Sequence, residues 1–511
     1  MTGVLRDFAA RAAGAGDEPA LSCAGEVWSA REFWDAVHFR AGQLRASGVE
    51  RGDRVTIALR KGPEAVAWLF ASLLCGAIAV PLDRRAPALR LAALLADLEP
   101  AVALFDAPTF ARFEESGGRL PDAGRQILSD PPPTPSGSEV QRFVSPPLAA
   151  SDPAMILMTS GTTGDPKGIV LSHGNIAAFS DWALEVFSLG PDDRFLNIAP
   201  LHFDLSLLDI LTGLRIGAQV VLAEEGDALF PARLCQLAEE HRISVLYTVP
   251  TILQAMVARG GLATRALPGL RWVLFAGEVY PPPALARLIT AVPQARFANL
   301  FGPTETNVIA WTEVEHAPAT GEAPNIGSAC AHSRIDICDA QGAPVGPGET
   351  GEICVAGPTV MLGYWNQPEL TRERYFAGRN DIFRTGDFGF REPAGDIRFV
   401  GRQDRQAKLR GHRVELGAIE ARALALDGVA GAAATVCDAG QSLCLHVAVQ
   451  PEATLSQAGL RRALSLVLPP HEVPSCFIFY EDWPTTSSGK CDMARLDANH
   501  RSLLYDQGET S

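Results

Sequence analysis

The sequence predicts an α/β protein with a large N-terminal domain and a small α+β domain at its C-terminus. Its 511 residues exceed what one simple hydrophobic core accommodates, so at least two domains are expected. Up to about residue 400, short apolar runs alternate with helical stretches, a pattern typical of layered, mostly parallel sheets. From about residue 351 the strands shorten, as in a β-subdomain, and a compact α+β pattern follows residue 404. We therefore predict domains at 1–403 and 404–511.

The strands of the large domain are predicted from runs of consecutive apolar residues. These runs cover residues 55–59, 101–105, 154–158, 219–223, 244–248 and 272–275. In the small domain, helices are predicted at 418–426 and 460–468, and strands at 432–436 and 444–449. The proline-rich stretch 130–137 is predicted to be a loop.

One uncharged run, residues 65–82, is long enough to be mistaken for a membrane span. Gly76 interrupts the run and Pro81 closes it. We predict a buried helix from Pro63 and then a short core strand at 77–82, rather than a transmembrane helix.

Composition and charge argue against several other classes of protein. Hydrophobic residues make up 47% and charged residues 20%, which is ordinary for a globular protein. The net charge of −15 argues against nonspecific nucleic-acid binding, which needs a basic surface. The ten cysteines contain no Cys-x-x-Cys pair, so buried, reduced thiols are expected. Early charges at Arg6, Asp7 and Arg11 do not suit a signal peptide, and a cytoplasmic protein is expected.

Residues 159–168, which read Thr-Ser-Gly-Thr-Thr-Gly-Asp-Pro-Lys-Gly, predict a phosphate-binding loop. The glycines allow the backbone to approach an anion closely, while the hydroxyls and Lys167 add donors and a positive charge. The spacing differs from the Gly-x-x-x-x-Gly-Lys-[Ser/Thr] loop of kinases and GTPases. A flexible turn rich in serine and glycine is the alternative.

This loop resembles the signature of the adenylate-forming superfamily, which contains amino-acid adenylation domains, acyl-CoA ligases and luciferases. Further matches follow in order, at residues 300–306, 351–365, 384–387, 401–404, 408–415 and 487–490. The resemblance therefore covers nearly the whole chain. It implies ATP and Mg²⁺ as cofactors, attack of a carboxylate on the α-phosphorus of ATP with release of pyrophosphate, and a mobile C-terminal domain.

The resemblance also assigns residues to the nucleotide. Glu305 matches the magnesium ligand, and Asp387 matches the acceptor of both ribose hydroxyls; carboxylates suit both roles. A surface carboxylate and a turn cap are the structural alternatives. Phe301 and Phe399 stand where the family usually has tyrosine, so we expect stacking on adenine without a hydroxyl contact. The other residues implied around ATP are Thr159, Ser160, Gly161, Thr162, Thr163, Gly164, Lys167, Gly277, Glu278, Asn299, Gly302, Thr304, Arg402 and Lys408.

The C-terminal part carries two surfaces that one domain orientation cannot present together. Lys490 matches the catalytic lysine, whose flexible ammonium can bridge the substrate carboxylate and the α-phosphate. Gly411 matches the glycine that lines the tunnel for a phosphopantetheine arm, and Asp404 matches the hinge. Rotation about Asp404 is therefore expected between the half-reactions. A solvated surface lysine is the alternative for Lys490.

The rest of the implied catalytic set lies in the N-terminal part. Thr304 and Glu305 belong to it, and His202 matches a position that gates entry of the carboxylate. A packed, hydrogen-bonded histidine is the alternative role of His202.

Asp204 bears on the choice of acid substrate. It stands where amino-acid-activating members hold the partner of the substrate ammonium, and a buried ammonium needs a carboxylate. A helix N-cap is its alternative or additional role. Family positions carry the remaining pocket wall over to Leu205, Leu208, Tyr247, Leu274, Ala276, Leu300, Val308 and Ile309.

This pocket is apolar apart from the Tyr247 hydroxyl, so it disfavours amino acids with polar side chains. It resembles the pocket of free-standing enzymes that adenylate L-proline and load it onto a carrier protein for oxidation to a pyrrole-2-carboxyl group. Ile309 is bulkier than the cysteine typical there. Valine, pipecolate and dehydroproline stay open, because apolar pockets discriminate single methylenes by only ~1–3 kcal/mol.

The sequence thus predicts an AMP-forming ligase that activates L-proline and passes it to a separate phosphopantetheinylated peptidyl carrier protein, since no carrier-type Leu-Gly-Gly-x-Ser site is present. Neither a nucleic acid nor a membrane is an expected partner. Two alternatives stay open. One is the same fold acting on another acid with coenzyme A as acceptor; the other is a catalytically silent adenylate-binding protein.

Overall fold

The computed structural model describes residues 3–14, 16–118, 125–128, 141–159, 166–319, 324–402, 406–437, 442–450, 455–480, 483–484 and 493–508. The predicted loop at 130–137 lies outside these residues. So do Ser160, Gly161, Thr162, Thr163, Gly164, Asp404 and Lys490, for which the sequence-based predictions stay as they are.

The strands, in chain order, are β1 Pro19–Cys23, β2 Glu26–Ser29, β3 Arg54–Ala58, β4 Ile78–Pro81, β5 Val102–Phe105, β6 Arg125–Leu128, β7 Pro153–Thr159, β8 Lys167–Ser172, β9 Arg194–Asn197, β10 Gln219–Leu222, β11 Val245–Thr248, β12 Trp272–Ala276, β13 Arg296–Phe301, β14 Ala310–Glu313, β15 Asn325–Ala329, β16 Arg334–Cys338, β17 Gly351–Ala356, β18 Gly363–Tyr364, β19 Tyr375–Phe376, β20 Arg379–Arg391, β21 Ile397–Arg402, β22 Gln406–Leu409, β23 His412–Glu415, β24 Val429–Cys437, β25 Ser442–Val449 and β26 Cys476–Tyr480.

The α-helices are α1 Gly3–Gly14, α2 Ala30–Ala46, α3 Pro63–Cys75, α4 Ala88–Leu98, α5 Ala107–Glu115, α6 His173–Val186, α7 Gly213–Ile216, α8 Pro231–Glu240, α9 Pro250–Arg259, α10 Pro282–Ala291, α11 Pro368–Glu373, α12 Leu416–Leu424, α13 Gln457–Ser465 and α14 Met493–Gly508. Two 3₁₀ turns lie at Asp227–Leu229 and Leu262–Thr264, and a π-helix at Leu207–Thr212 precedes α7.

Two large sheets form the body of the molecule. The seven-stranded sheet has the order β18-β8-β7-β4-β3-β5-β6, in which β3 to β6 and the β4–β7 pair are parallel. In the larger sheet, β1, β10, β9, β11, β12 and β13 are parallel neighbours. Apolar residues shared between these sheets and their helices make up the main core. The predicted mostly parallel α/β architecture is confirmed.

The predicted β-subdomain continues the larger sheet. β14 pairs antiparallel with β13, and the order β14-β15-β21-β20-β17-β16 follows from there. The strands become antiparallel without starting a separate layer at this junction, but the predicted shortening is wrong, because β20 spans 13 residues. This continuity brings β20 and β21 to the same sheet as β13, which carries part of the site.

The uncharged run at 65–82 lies inside the core. Every residue of α3 except Glu64 is buried, and the helix ends at Gly76, whose φ of 74° suits glycine. β4 then follows in the seven-stranded sheet. Within the described ranges, no helix combines the length and apolarity that crossing a bilayer requires.

The C-terminal elements pack around a smaller core of their own. β24, β25 and β26 form a three-stranded sheet, and β22 and β23 form a two-stranded hairpin. The predicted helices and strands here are confirmed to within a few residues. The expectation of reduced thiols is wrong for one pair, because Cys444 and Cys476 form a disulfide. They lie opposite each other on β25 and β26, a proximity that their separation of 32 residues conceals.

Candidate active site

A cavity of about 150 Å³ opens where parallel strands of the larger sheet end. Tyr247, Ala276 and Phe301, at or near the carboxyl ends of β11, β12 and β13, line it. Ligands of open α/β sheets bind at this edge, because the loops that follow the strands converge there. The topology thus gathers residues that lie far apart in the sequence.

The predicted acid pocket forms one end of this cavity. Asp204, Leu205, Tyr247, Ala276 and Val308 line it. Leu300 lines the neighbouring cavity. The remaining predicted wall residues are completely buried and line neither cavity: Leu208, Leu274 and Ile309. The side-chain surroundings are therefore apolar, with one carboxylate.

Asp204 is the charged group of this pocket. Burial raises the pKa of its carboxyl group, while a hydrogen bond from the Thr304 hydroxyl and the nearby Lys408 ammonium act to lower it. The helical segment beyond it begins after Ser206, which makes no side-chain cap. The backbone carbonyl of Asp204 accepts from Leu207 N at 3.0 Å. The carboxyl group also accepts a hydrogen bond from the backbone N–H of Leu205, so Asp204 lines the cavity and holds the turn before the helix as well.

Glu305 is buried beside the cavity residue Thr304 and lines neither cavity, and donors surround its carboxylate. Arg413 Nη1 donates to its Oε2 at 2.6 Å, and the Tyr364 hydroxyl donates to its Oε1 at 2.7 Å. Although burial acts to raise the pKa of Glu305, Arg413 and Lys167 hold it well below the usual range. Arg413 was not predicted as a site residue, since nothing local in the sequence indicates a contact across 108 residues.

Lys167 begins β8 directly opposite Thr159, the last residue of β7. The predicted phosphate-binding loop therefore connects two neighbouring antiparallel strands, with its lysine fixed at the exit. The Lys167 ammonium lies 4.0 Å from Glu305 Oε1 and 3.5 Å from Glu415 Oε1. Burial lowers the pKa of Lys167 to about 8, reinforced by Arg413.

Asp387 and Arg402 face each other across β20 and β21, and Arg402 Nη1 donates to Asp387 Oδ1 at 2.8 Å. Both residues line both cavities, the one above and a second one of about 880 Å³. The second cavity also gathers the other residues predicted around adenine and ribose, which are Gly277, Glu278, Asn299, Phe301, Gly302, Phe399 and Lys408.

The two phenylalanines in this set lie close together, with ring centroids 5.8 Å apart and planes inclined at 50°. Asn299 Nδ2 donates to the backbone carbonyl of Asn325 at 2.9 Å, which fixes the amide at the end of β13. Two apolar rings beside an ordered amide can bind a planar heterocycle by stacking.

A model of the family described as AMP-binding enzyme matches residues 8–365.

The chain belongs to the AMP-binding enzyme family.

Two similar proteins carry the name L-proline–[L-prolyl-carrier protein] ligase. The one from Pseudomonas fluorescens is 36% identical over 90% of this chain and 94% of its own length. The one from Streptomyces coelicolor is 34% identical over 91% of each chain. Among solved structures, IdnL1 is 30% identical with a TM-score of 0.78, over 94% of this chain and 98% of its own. The amide bond synthetase McbA from Marinactinospora thermotolerans shares the fold, with a TM-score of 0.86 and 24% identity over 98% and 99% of the two chains.

In this AMP-binding enzyme, the β22–β23 hairpin closes over the cavity. Gly411 at its turn has a φ of +83°, and its N–H donates to Glu278. A Cβ at this position would lie 2.9 Å from Val249 Cγ1, so the backbone of the turn packs directly on the segment after β11. The Gly411 face is thus the one presented to the N-terminal part.

Three histidines pack beside the hairpin of the AMP-binding enzyme. The rings of His412 and His471 stack at 3.8 Å, and Phe203 lies edge-on to His412 at 4.9 Å. His202 lines the cavity and contacts Phe203. Burial lowers the pKa of His202, an effect that the charge of Asp83 opposes. His202 thus combines packing with a position at the cavity wall.

Proposed function

We propose that this chain is an ATP-dependent, AMP-forming ligase that activates L-proline as prolyl-AMP. It then transfers the prolyl group to the phosphopantetheine thiol of a separate peptidyl carrier protein. The proposal depends mainly on Asp204, a partly buried carboxylate that lines the cavity beside the apolar residues Leu205, Ala276 and Val308. Such a pocket accepts an amino acid with a compact aliphatic body and a cationic amine. The similarity to two proline ligases over nine-tenths of the chain supports the same substrate.

The nucleotide side supports this reaction through its charges. Thr159, Lys167 and the loop between them are proposed to hold the β- and γ-phosphates of ATP. Asp387 is proposed to accept both ribose hydroxyls, and Phe301 and Phe399 to enclose adenine. Thr159, Asp387 and the two phenylalanines line the two cavities that also hold the acid pocket, and Lys167 is buried opposite Thr159, so the carboxylate and the α-phosphate can be held in line.

Glu305 is the residue proposed to hold Mg²⁺. Its carboxylate is 2% exposed and ionised, so it needs a cation as a neighbour, and hard carboxylate oxygens suit magnesium. In this orientation Arg413 supplies that positive charge. When bound, Mg²⁺ would offset the negative charge of the polyphosphate.

The orientation of the C-terminal hairpin suits the transfer step. Arg413 pairs with Glu305, and Glu415 lies 3.5 Å from Lys167. Glu305 and Lys167, which are proposed to bind the metal and the polyphosphate, therefore contact the hairpin instead. This arrangement is expected once pyrophosphate has been released. Lys490 is proposed to serve the preceding adenylation after rotation about Asp404.

Amino-acid-dependent ATP–pyrophosphate exchange tests the proposal. The purified chain is assayed with all twenty amino acids, pipecolate, and several fatty and aryl acids. We expect L-proline to give the dominant signal. A dominant signal from an acid without an amine would contradict the role of Asp204 and favour coenzyme A as acceptor. No exchange with any acid would favour a catalytically silent adenylate-binding protein.

A further inference from the structure

A polar trio lies buried behind the acid pocket and takes no part in the contacts described above. The Lys61 ammonium donates to the backbone carbonyls of Asn197 at 2.9 Å and Ile198 at 3.1 Å. Asn197 Nδ2 donates to Asp209 Oδ2 at 3.0 Å. Asn197 and Asp209 are completely buried, and Lys61 is 6% exposed. Burial of polar groups is costly unless they are hydrogen-bonded, and these contacts supply that compensation.

The trio holds both ends of the segment that carries Asp204. Asn197 is the last residue of β9, and Asp209 lies in the π-helix Leu207–Thr212. The intervening residues form the loop and first helical residues that line the pocket. π-helical turns are rare and occur often at functional sites. A hydrogen bond from Asn197 to Asp209 therefore fixes the separation of the two ends of this segment.

The titratable groups of the trio also influence the pocket wall. Burial lowers the pKa of Lys61 to about 8, an effect that Asp209, Cys23, Glu225 and Asp227 oppose. Burial likewise raises the pKa of Tyr247, with Asp204 and Asp209 as the charges that add to it. Burial also raises the pKa of Asp209 itself to about 8, so near neutral pH Asp209 is largely uncharged and serves as the hydrogen-bond acceptor of Asn197.

We propose that Lys61 and Asp209 are positioning residues for amino-acid recognition, which hold Asp204 and Leu205 against the substrate without contacting it. This inference rests on the proposed function in that the substrate is an amino acid. It assigns specificity to contacts behind the pocket, in addition to the side chains that line it.

The test compares Asp209→Ala, Asp209→Asn and Thr212→Val in ATP–pyrophosphate exchange. We expect Asp209→Ala to raise KM for proline about tenfold or more, because Asn197 loses its buried hydrogen-bond acceptor. The same substitution should change KM for ATP less than about twofold. Asp209→Asn keeps an acceptor oxygen and should restore KM for proline to within about threefold. Thr212→Val is the matched control on the same π-helix, since no hydrogen-bond partner of its hydroxyl is found among the described residues.

Several results would overturn the inference. One is an equal rise of both KM values in Asp209→Ala, or a loss of kcat that Asp209→Asn does not reverse. An effect of Thr212→Val as large as that of Asp209→Ala would point to a merely structural role. If Asp209→Ala does not fold, Lys61→Met takes its place with the same expected split between the KM values. Absence of exchange by the unaltered chain with every amino acid would overturn the proposed function as well, whereas the other results leave it standing.

Discussion

The amino-acid side and the phosphate side of the site differ in where their partners come from. The predicted pocket wall comes from residues between Asp204 and Ile309, within the N-terminal part. The charged groups on the phosphate side, Lys167 and Glu305, instead contact residues of the β22–β23 hairpin. A movement of the hairpin would therefore change the charges around the phosphates. On the amino-acid side it would remove the Lys408 ammonium from near Asp204 while leaving the apolar wall in place.

The largest effect is expected at the one charge of the pocket. Asp204→Ala should reduce amino-acid-dependent exchange on the order of a hundredfold or more, because a buried ammonium would lose its partner. Binding of ATP should be unchanged. Steady-state kinetics with both substrates, together with calorimetric ATP binding, measure this directly.

Asp387→Ala is the matched control from the other side of the site. It should raise KM for ATP and leave KM for proline within about threefold. A similar rise in KM for both substrates in both variants would contradict the distinction between the amino-acid side and the phosphate side.

The second prediction concerns the turn of the hairpin. Gly411→Ala should slow transfer from preformed prolyl-adenylate about tenfold, since a Cβ would meet Val249 at 2.9 Å and the φ of +83° disfavours alanine. Adenylation should change little. Rapid-quench assays of the two half-reactions separate the effects, and Lys490→Ala should show the opposite pattern. Equal loss of both steps in either variant would contradict the two-orientation account.

The third prediction sharpens the description of the amino-acid side. Ile309 is completely buried and bound by its backbone to Phe301 and Cys330. Ile309→Cys removes volume behind the wall and should shift the preference from proline toward pipecolate by about tenfold. Competition between the two acids in one exchange assay measures the ratio, with KM for ATP as the control. An unchanged ratio would show that Ile309 does not set the pocket size.

The smallest effect is a dependence of stability on pH at the hairpin. Burial lowers the pKa of His412 from 6.5 to about 4, near His202, Asp83, Arg85 and Arg410. Between these two values the unfolded chain binds a proton that the folded chain does not, so stability is lost as pH falls from 6.5 to 4. The share of His412 is at most about 3 kcal/mol.

His412→Phe keeps a ring against His471 and Phe203 but removes the titrating group. Thermal unfolding of both proteins across this pH range should show a shallower loss for the variant. Identical pH dependence would place the acid sensitivity in other buried histidines, such as His38 and His173, whose pKa values burial also lowers to about 4.

The residues that were predictable from sequence are those with a local signal. The apolar run at 272–275 became β12, Trp272–Ala276, because consecutive buried residues favour a core strand. Asp204, Asp387 and Phe301 were found through motif spacing, and the structure brings them to shared cavities.

The contacts that were not predictable depend on tertiary structure. Arg413 meets Glu305 only because the hairpin folds back over the N-terminal part. Asp209 reads as one more residue of an apolar helix, and nothing local shows that Asn197 will be its donor. A charged residue inside an apolar run was the one available signal for Asp209.

Hydrogen–deuterium exchange of the hairpin tests the central distinction most directly, because exchange reports local opening of hydrogen-bonded backbone. The purified chain is compared alone, with L-proline, and with a non-hydrolysable ATP analogue and Mg²⁺. The account predicts that the nucleotide increases exchange in residues 406–415, since it competes for Lys167 and Glu305, and that proline alone leaves these residues unchanged. Release of the hairpin by proline alone, or no response to the nucleotide, would contradict the account.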